Sequence, residues 1–127
     1  MTILIAEDDD DDFFFTAREL GKATSATLIH VESGRAAIEY LAGHGRFADR
    51  AAFPFPDLML LDLKMDDVDG HAVLAWIREN QPGQPLRIFA LTGSGEMRDR
   101  ERVRGFEVAE GYFVKPLTAE DVATILK

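Results

Sequence analysis

Several polar side chains stand where apolar runs of this chain stop. Glu7 and Asp8 follow Ile3-Leu4-Ile5-Ala6, and Asp62 closes Leu58-Met59-Leu60-Leu61. Thr92 follows Leu86 to Leu91, and Lys115 follows Tyr112-Phe113-Val114. An acid at the end of a buried run is costly unless it is paired, hydrated or bound to a cation. Three close carboxylates repel, so some stay protonated unless a cation joins them. An all-oxygen set without His or Cys suits Mg²⁺ or Mn²⁺ rather than zinc. Carboxylates act as nucleophiles toward phosphoryl groups. A divalent ion and an ammonium neutralise charge on the transferring group, and a hydroxyl can hydrogen-bond it. The chemistry this set suits is phosphoryl transfer onto Asp62.

The elements that position these groups follow from patterning. Ile3–Ala6, Ala26–Val31, the apolar run ending at Asp62, Leu86–Leu91 and Tyr112–Val114 are expected strands. Helices are expected between them. The acid run Glu7 to Asp12 opens the first, with Asp10, Asp11 and Asp12 as a solvated loop and first turn and with Phe13, Ala17 and Leu20 inward. Ser33 caps the second, which stops at Gly43. Asp69 caps the third, with Val73, Trp76 and Ile77 inward and Pro82-Gly83 at its end. A weak helix is expected over Glu96 to Val108, with charges of alternating sign from Arg98 to Arg104 and Gly105 interrupting it. Thr118 caps the last, with Val122, Ile125 and Leu126 inward. The long connection from Gly43 to Pro56 holds Phe47, Phe53 and Phe55 and is expected to be pinned to the surface by its aromatics. Five strands alternating with five helices argue an α/β domain with a parallel sheet covered on both faces. The strand ends then share one edge, where ligands of such sheets bind.

Bulk properties narrow the function. The chain has 127 residues, one domain by length, with a normal apolar fraction of 46% and no cysteine. Disulfides and cysteine-bound zinc are excluded. No basic leader or membrane-length apolar run is present, and a cytoplasmic location is expected. The net charge of -9 disfavours nucleic acid and anionic lipid as direct ligands and favours cations or basic protein surfaces. His30, His44 and His71 share no spacing and are expected to be structural or exposed.

Taken in order, Ile-Leu-Ile-Ala-Glu7-Asp8, Leu-Leu-Asp62-Leu-Lys-Met, Asp69-Gly70, Ala-Leu-Thr92-Gly93 and Gly-Tyr112-Phe-Val-Lys115-Pro116 resemble the receiver domain of two-component response regulators, the CheY-like family. The resemblance covers essentially the whole chain, as a single receiver domain over 1–127 without an output domain. It implies a doubly wound, flavodoxin-like (βα)5 fold with strand order 2-1-3-4-5. It implies that Asp62 accepts a phosphoryl group from a histidine kinase or histidine phosphotransfer protein. Asp8, Asp62 and the Lys64 backbone carbonyl would hold Mg²⁺, with Glu7 acting mostly through water. Thr92, Gly93 and Lys115 would contact phosphoryl oxygens, Tyr112 would turn inward with Thr92, and Lys115-Pro116 would be cis. It implies a phosphoacceptor rather than a turnover enzyme. The signal would leave by protein contact, with a downstream target or a homodimer at the face of the Glu96–Val108 helix, the fifth strand and the last helix. The aromatic loop and the acid run are similar to stand-alone receivers, including those paired with phytochrome-type kinases.

The chain departs from the family pattern at three places. Asp66 stands where proline is usual, the stretch from Thr92 to Tyr112 lacks the usual pattern, and Lys64 lies two residues past Asp62. Other function classes are weaker. A haloacid-dehalogenase-type phosphatase wants a second acid where Lys64 stands. A flavin phosphate would meet an acidic first loop. A receiver-shaped interaction module that works without phosphorylation is the remaining alternative.

Overall fold

The structure is a computed structural model that describes residues 1–80, 82–93 and 108–127. Five parallel strands form one sheet: β1 (Thr2–Ala6), β2 (Thr27–Val31), β3 (Leu58–Asp62), β4 (Arg87–Thr92) and β5 (Gly111–Val114). Their order is β2-β1-β3-β4-β5, as the resemblance implies. Four helices are described: α1 (Asp10–Gly21), α2 (Gly34–Ala42), α3 (Gly70–Asn80) and α4 (Ala119–Leu126). The helix expected over Glu96 to Val108 lies almost wholly outside the described residues. Among those described, no helix is long and apolar enough to cross a membrane.

The two-residue period of the strands sorts the core into two layers. Leu4, Ala6, Met59, Leu61, Ile88 and Ala90 pack with α2 and α3. Ile3, Ile5, Leu58, Leu60, Phe89 and Leu91 pack with Leu20 of α1 and with Val122 and Ile125 of α4. Burial of each Leu, Ile, Val, Met or Phe among them is worth about 1.5–3 kcal/mol. The same period decides where the site forms. Glu7 continues the Ile3-Ile5 row and Asp62 continues the Leu58-Leu60 row, so both fall on the α1 side. Ala6 is paired with Leu61, which sets the two acids beside each other.

The helix caps follow the expected chemistry. Ser33 accepts from Ala36 N–H, and Gly43 closes α2 at φ 69°, a left-handed conformation suited to glycine. Asp69 accepts from Ala72 N–H at 2.9 Å, and Thr118 with Asp121 forms a capping box on α4. The inner faces shift from the expected ones. In α1 the buried residues are Thr16 and Leu20, with Phe13 and Ala17 half-buried at the flank. In α3 Leu74 is buried beside Val73 and Ile77, while Trp76 is half-buried.

The connection before β3 is pinned as expected. Tyr40 is fully buried, its ring 4.9 Å from Phe47 and 6.2 Å from Phe53. Its hydroxyl donates to the Pro54 carbonyl at 2.8 Å. Arg50 donates to the Leu41 and Phe53 carbonyls at 3.0 and 3.1 Å, tying the loop to the end of α2.

Candidate functional site

Strand ends bring the acids and the lysine together at the C-terminal edge of the sheet. Glu7 is 2% exposed and Asp62 3%. Carboxylate oxygens of Glu7, Asp8 and Asp62 all lie within 4.8 Å of one another. The Lys115 ammonium donates to Glu7 Oε1 at 2.9 Å and to Asp12 Oδ2 at 2.7 Å, and reaches Asp62 Oδ2 at 3.4 Å. Thr92, fully buried, closes β4 one residue beyond Leu91, the partner of Asp62. By the strand period it lies on the α2–α3 side with Tyr112, which packs half-buried into that layer. Gly93 and Lys115 share a cleft of about 280 Å³ with Asp12, Phe15, Thr16 and Pro116. The Lys115-Pro116 bond is cis.

Electrostatics show what the acids lack. Burial, a hydrogen bond with Asp62 and the charge of Asp62 push the Glu7 carboxyl up to about 8, against the pull of Lys115. Burial alone would pull Lys115 down, but Asp12, Glu7 and Asp62 outweigh it and hold the ammonium above its usual range. Without a cation, burial and the neighbouring Asp62 therefore favour the protonated form of Glu7. A hard divalent ion that displaced that proton would find three oxygen donors grouped, so the residues present fit such an ion.

Backbone contacts hold each acid in place. Glu7 N–H donates to Val31 O at 3.0 Å, and His30 Nε2 lies 2.8 Å from the Glu7 carbonyl. A carbonyl only accepts, so His30 is the donor there. Its ring stacks on Phe13 at 3.7 Å. Asp62 Oδ1 accepts from Lys64 N–H at 3.2 Å. Gly70 approaches Asp62 so closely that a Cβ would lie 2.6 Å from the Asp62 carbonyl oxygen. Asp66 N–H donates to Asp8 Oδ2 at 3.2 Å. A proline in that place has no N–H to give, so the substitution supplies an orienting donor for Asp8.

The loop between β3 and α3 is also tied to α2. Asp67 accepts from Gly34 N–H at 3.1 Å and Arg35 N–H at 3.2 Å. These are first-turn donors without helical partners, and the helix N-terminus favours an anion. Slight burial raises the Asp67 carboxyl, but N–H bonds from Val68, Arg35 and Gly34 outweigh it and hold it below 3.8. A depressed carboxylate pKa adds stability above the unfolded value, lost as pH falls through the folded one. Asp67→Ala is expected to lower stability by about 0.5–1 kcal/mol at pH 7, the worth of an exposed cap. In urea titrations the difference should shrink as pH falls through the folded-state titration of Asp67, below the ordinary carboxylate range; a difference that grows toward acid would contradict the assignment.

The structure thus brings Glu7, Asp8, Asp62 and Lys115 together, with Thr92 and Gly93 alongside. Lys64 contributes its N–H to Asp62, while its side chain is exposed. Asp12 stands in the first turn of α1, as expected, and also touches Lys115, a contact not among those expected from the sequence. A signal for it was available: Asp12, Thr16 and Leu20 follow one another at four-residue spacing, and the latter two are buried. His30, Asp67 and Gly34 carried no local signal.

Comparison with known proteins agrees with this arrangement. A family model of the response regulator receiver domain matches residues 3–127. FilR2 of Methanothrix harundinacea, described as a probable methanogenesis regulatory protein, is 33% identical over 92 residues, 72% of this chain and 56% of that protein. The chain therefore spans just over half of that relative. The response regulator RPA3017 in red light signaling of R. palustris is 32% identical, with a TM-score of 0.85 over 98% of this chain and 87% of that one. The Mn²⁺-bound form of response regulator Rcp1 is 28% identical, with a TM-score of 0.79 over 98% and 88%. Sheet order, clustered acids and the family match over nearly the full length agree: this chain belongs to the response regulator receiver domain family.

Proposed function

We propose that this chain is a phosphoacceptor of a two-component phosphorelay, taking a phosphoryl group onto Asp62 from a histidine kinase or histidine phosphotransfer protein. The observation that carries it is the Lys115 ammonium set against Glu7, Asp12 and Asp62, with the oxygens of Glu7, Asp8 and Asp62 grouped. Glu7, Asp8, Asp62 and the Lys64 carbonyl would hold Mg²⁺ or Mn²⁺, which supplies charge neutralisation for the transferring oxygens. The Mn²⁺-bound relative supports that choice of ion.

A carboxylate oxygen of Asp62 attacks phosphorus. The new P–O bond forms as the P–N bond of the donor breaks, and the histidine nitrogen leaves with the electron pair. Lys115 contributes positive charge beside the group in transfer, while Thr92 and Gly93 contact its oxygens. The product adds about -1.5 to -2 charge at Asp62. Thr92 is drawn toward it and Tyr112, in the same layer, follows inward. The chain passes the signal on by protein contact, through a downstream target or a second copy of itself, and does not turn over a separate substrate. The similarity to a red-light regulator supports a phytochrome-type kinase as donor.

Incubation with acetyl phosphate and Mg²⁺, read by intact mass, should show one labile phosphoryl group that a chelator prevents. Absence of any adduct under saturating donor would overturn the reading.

A further inference from the structure

The three first-turn acids of α1 are not equivalent. Asp10 and Asp11 are exposed, whereas Asp12 reaches across to Lys115 at 2.7 Å, closer than Glu7 or Asp62. Its register explains the difference, because Asp12 leads the row that continues through buried Thr16 and Leu20. The side chain of Asp12 is 42% exposed and that of Lys115 12%.

An ammonium has three donors. Here Glu7 and Asp12 take the two short contacts and Asp62 is left at 3.4 Å. Glu7 belongs to the grouped carboxylates that would hold a cation, so its oxygens would be shared between that ion and Lys115. Asp12 stands outside that group of oxygens, so it keeps its hold. A phosphoryl group on Asp62 brings further acceptor oxygens that need the same ammonium.

We propose that Asp12 is a positioning residue that competes with the phosphoryl group for Lys115 and thereby weakens the phosphorylated state. The inference rests on Asp62 being the acceptor and deepens that reading. Asp12 draws the ammonium toward α1, while its own negative charge opposes the incoming group. Its effect acts through Lys115, so it alters how firmly a phosphoryl group is held rather than whether the site can be built.

The test is the affinity for beryllofluoride, a phosphoryl mimic, at saturating Mg²⁺, measured by calorimetry on the full chain. Asp12→Asn should bind it about twofold to fivefold more tightly, the factor a partly exposed ion pair is worth. It should also retain acetyl-phosphate label longer by a similar factor. Asp11→Asn removes the same charge from the same helix turn without touching Lys115, and should match wild type. Should Asp12→Asn fold poorly, Asp12→Ala, a better helix former, should give the same gain. A gain in affinity is not what loss of a merely structural contact produces. If wild type binds the mimic and the Asp12 variants bind no more tightly, this inference alone falls. Equal gains from Asp11 and Asp12 would reduce it to a general field effect and overturn it. If wild type binds no mimic, the acceptor reading falls with it.

Discussion

Asp62→Asn is expected to take up no phosphoryl group from any donor, a loss of at least about 10³-fold, as for removal of other covalent nucleophiles. The amide keeps the size of the carboxylate but carries no negative charge, and its oxygen is too weak a nucleophile to attack phosphorus. Its oxygen can still accept from Lys64 N–H, so the loop after β3 should hold its shape. The same variant reports on Glu7. Asp62 raises the Glu7 carboxyl through a hydrogen bond and its charge. A carboxyl raised above its unfolded value contributes stability that is complete below that value and lost as pH rises through the folded one. With chelator present, the thermal midpoint of wild type should therefore fall between about pH 4.5 and 8, the ordinary and raised values of the Glu7 carboxyl. In Asp62→Asn the fall should be smaller, because one repelling charge is gone. Mass spectrometry reads the first effect and calorimetry across pH the second. An adduct on the variant would move the acceptor elsewhere, and parallel pH curves would dissociate Glu7 from Asp62.

The strand tips were legible because their signal is local. A run such as Leu58 to Leu61 followed by Asp62 carries its own register, and the period of two places Glu7 and Asp62 on one face once β1 and β3 are neighbours. Lys115 before Pro116 is legible for the same reason. Asp12 was hidden because six successive acids all satisfy the preference of a helix start, and only the helix register distinguishes the one that faces inward. In α3 the apolar residues Val73, Leu74, Trp76 and Ile77 allow two adjacent stripes, and the sheet's shape, not the local pattern, selects Leu74 over Trp76. Asp66 could be seen as a departure from the family pattern, but not as a donor to Asp8, since that contact spans 58 positions. The expected helix over Glu96 to Val108, which would form part of the dimer or target face, lies almost wholly outside the described residues.

Gly34→Ala should be the most destabilising small substitution near the site. A Cβ on Gly34 would overlap the Val68 carbonyl oxygen and stand 2.8 Å from both the Val68 carbonyl carbon and its Cβ. Backbone cannot yield there without moving the loop after β3, and that movement breaks the Asp67 bonds to Gly34 and Arg35. Overpacking together with a lost cap predicts destabilisation of about 2–4 kcal/mol. The loop also carries Lys64 and Asp66, whose N–H groups orient Asp62 and Asp8. Mg²⁺ affinity should therefore fall in the same variant, although residue 34 touches no site carboxylate of Glu7, Asp8 or Asp62. Gly21→Ala supplies the contrast. Gly21 ends α1 with open space where a Cβ would go, and alanine there should add up to about 1 kcal/mol by restricting the unfolded chain. Urea titrations of the two variants should move in opposite directions. A Gly34→Ala protein as stable as wild type, with unchanged Mg²⁺ binding, would show that the loop and α2 are not packed as tightly as this contact requires.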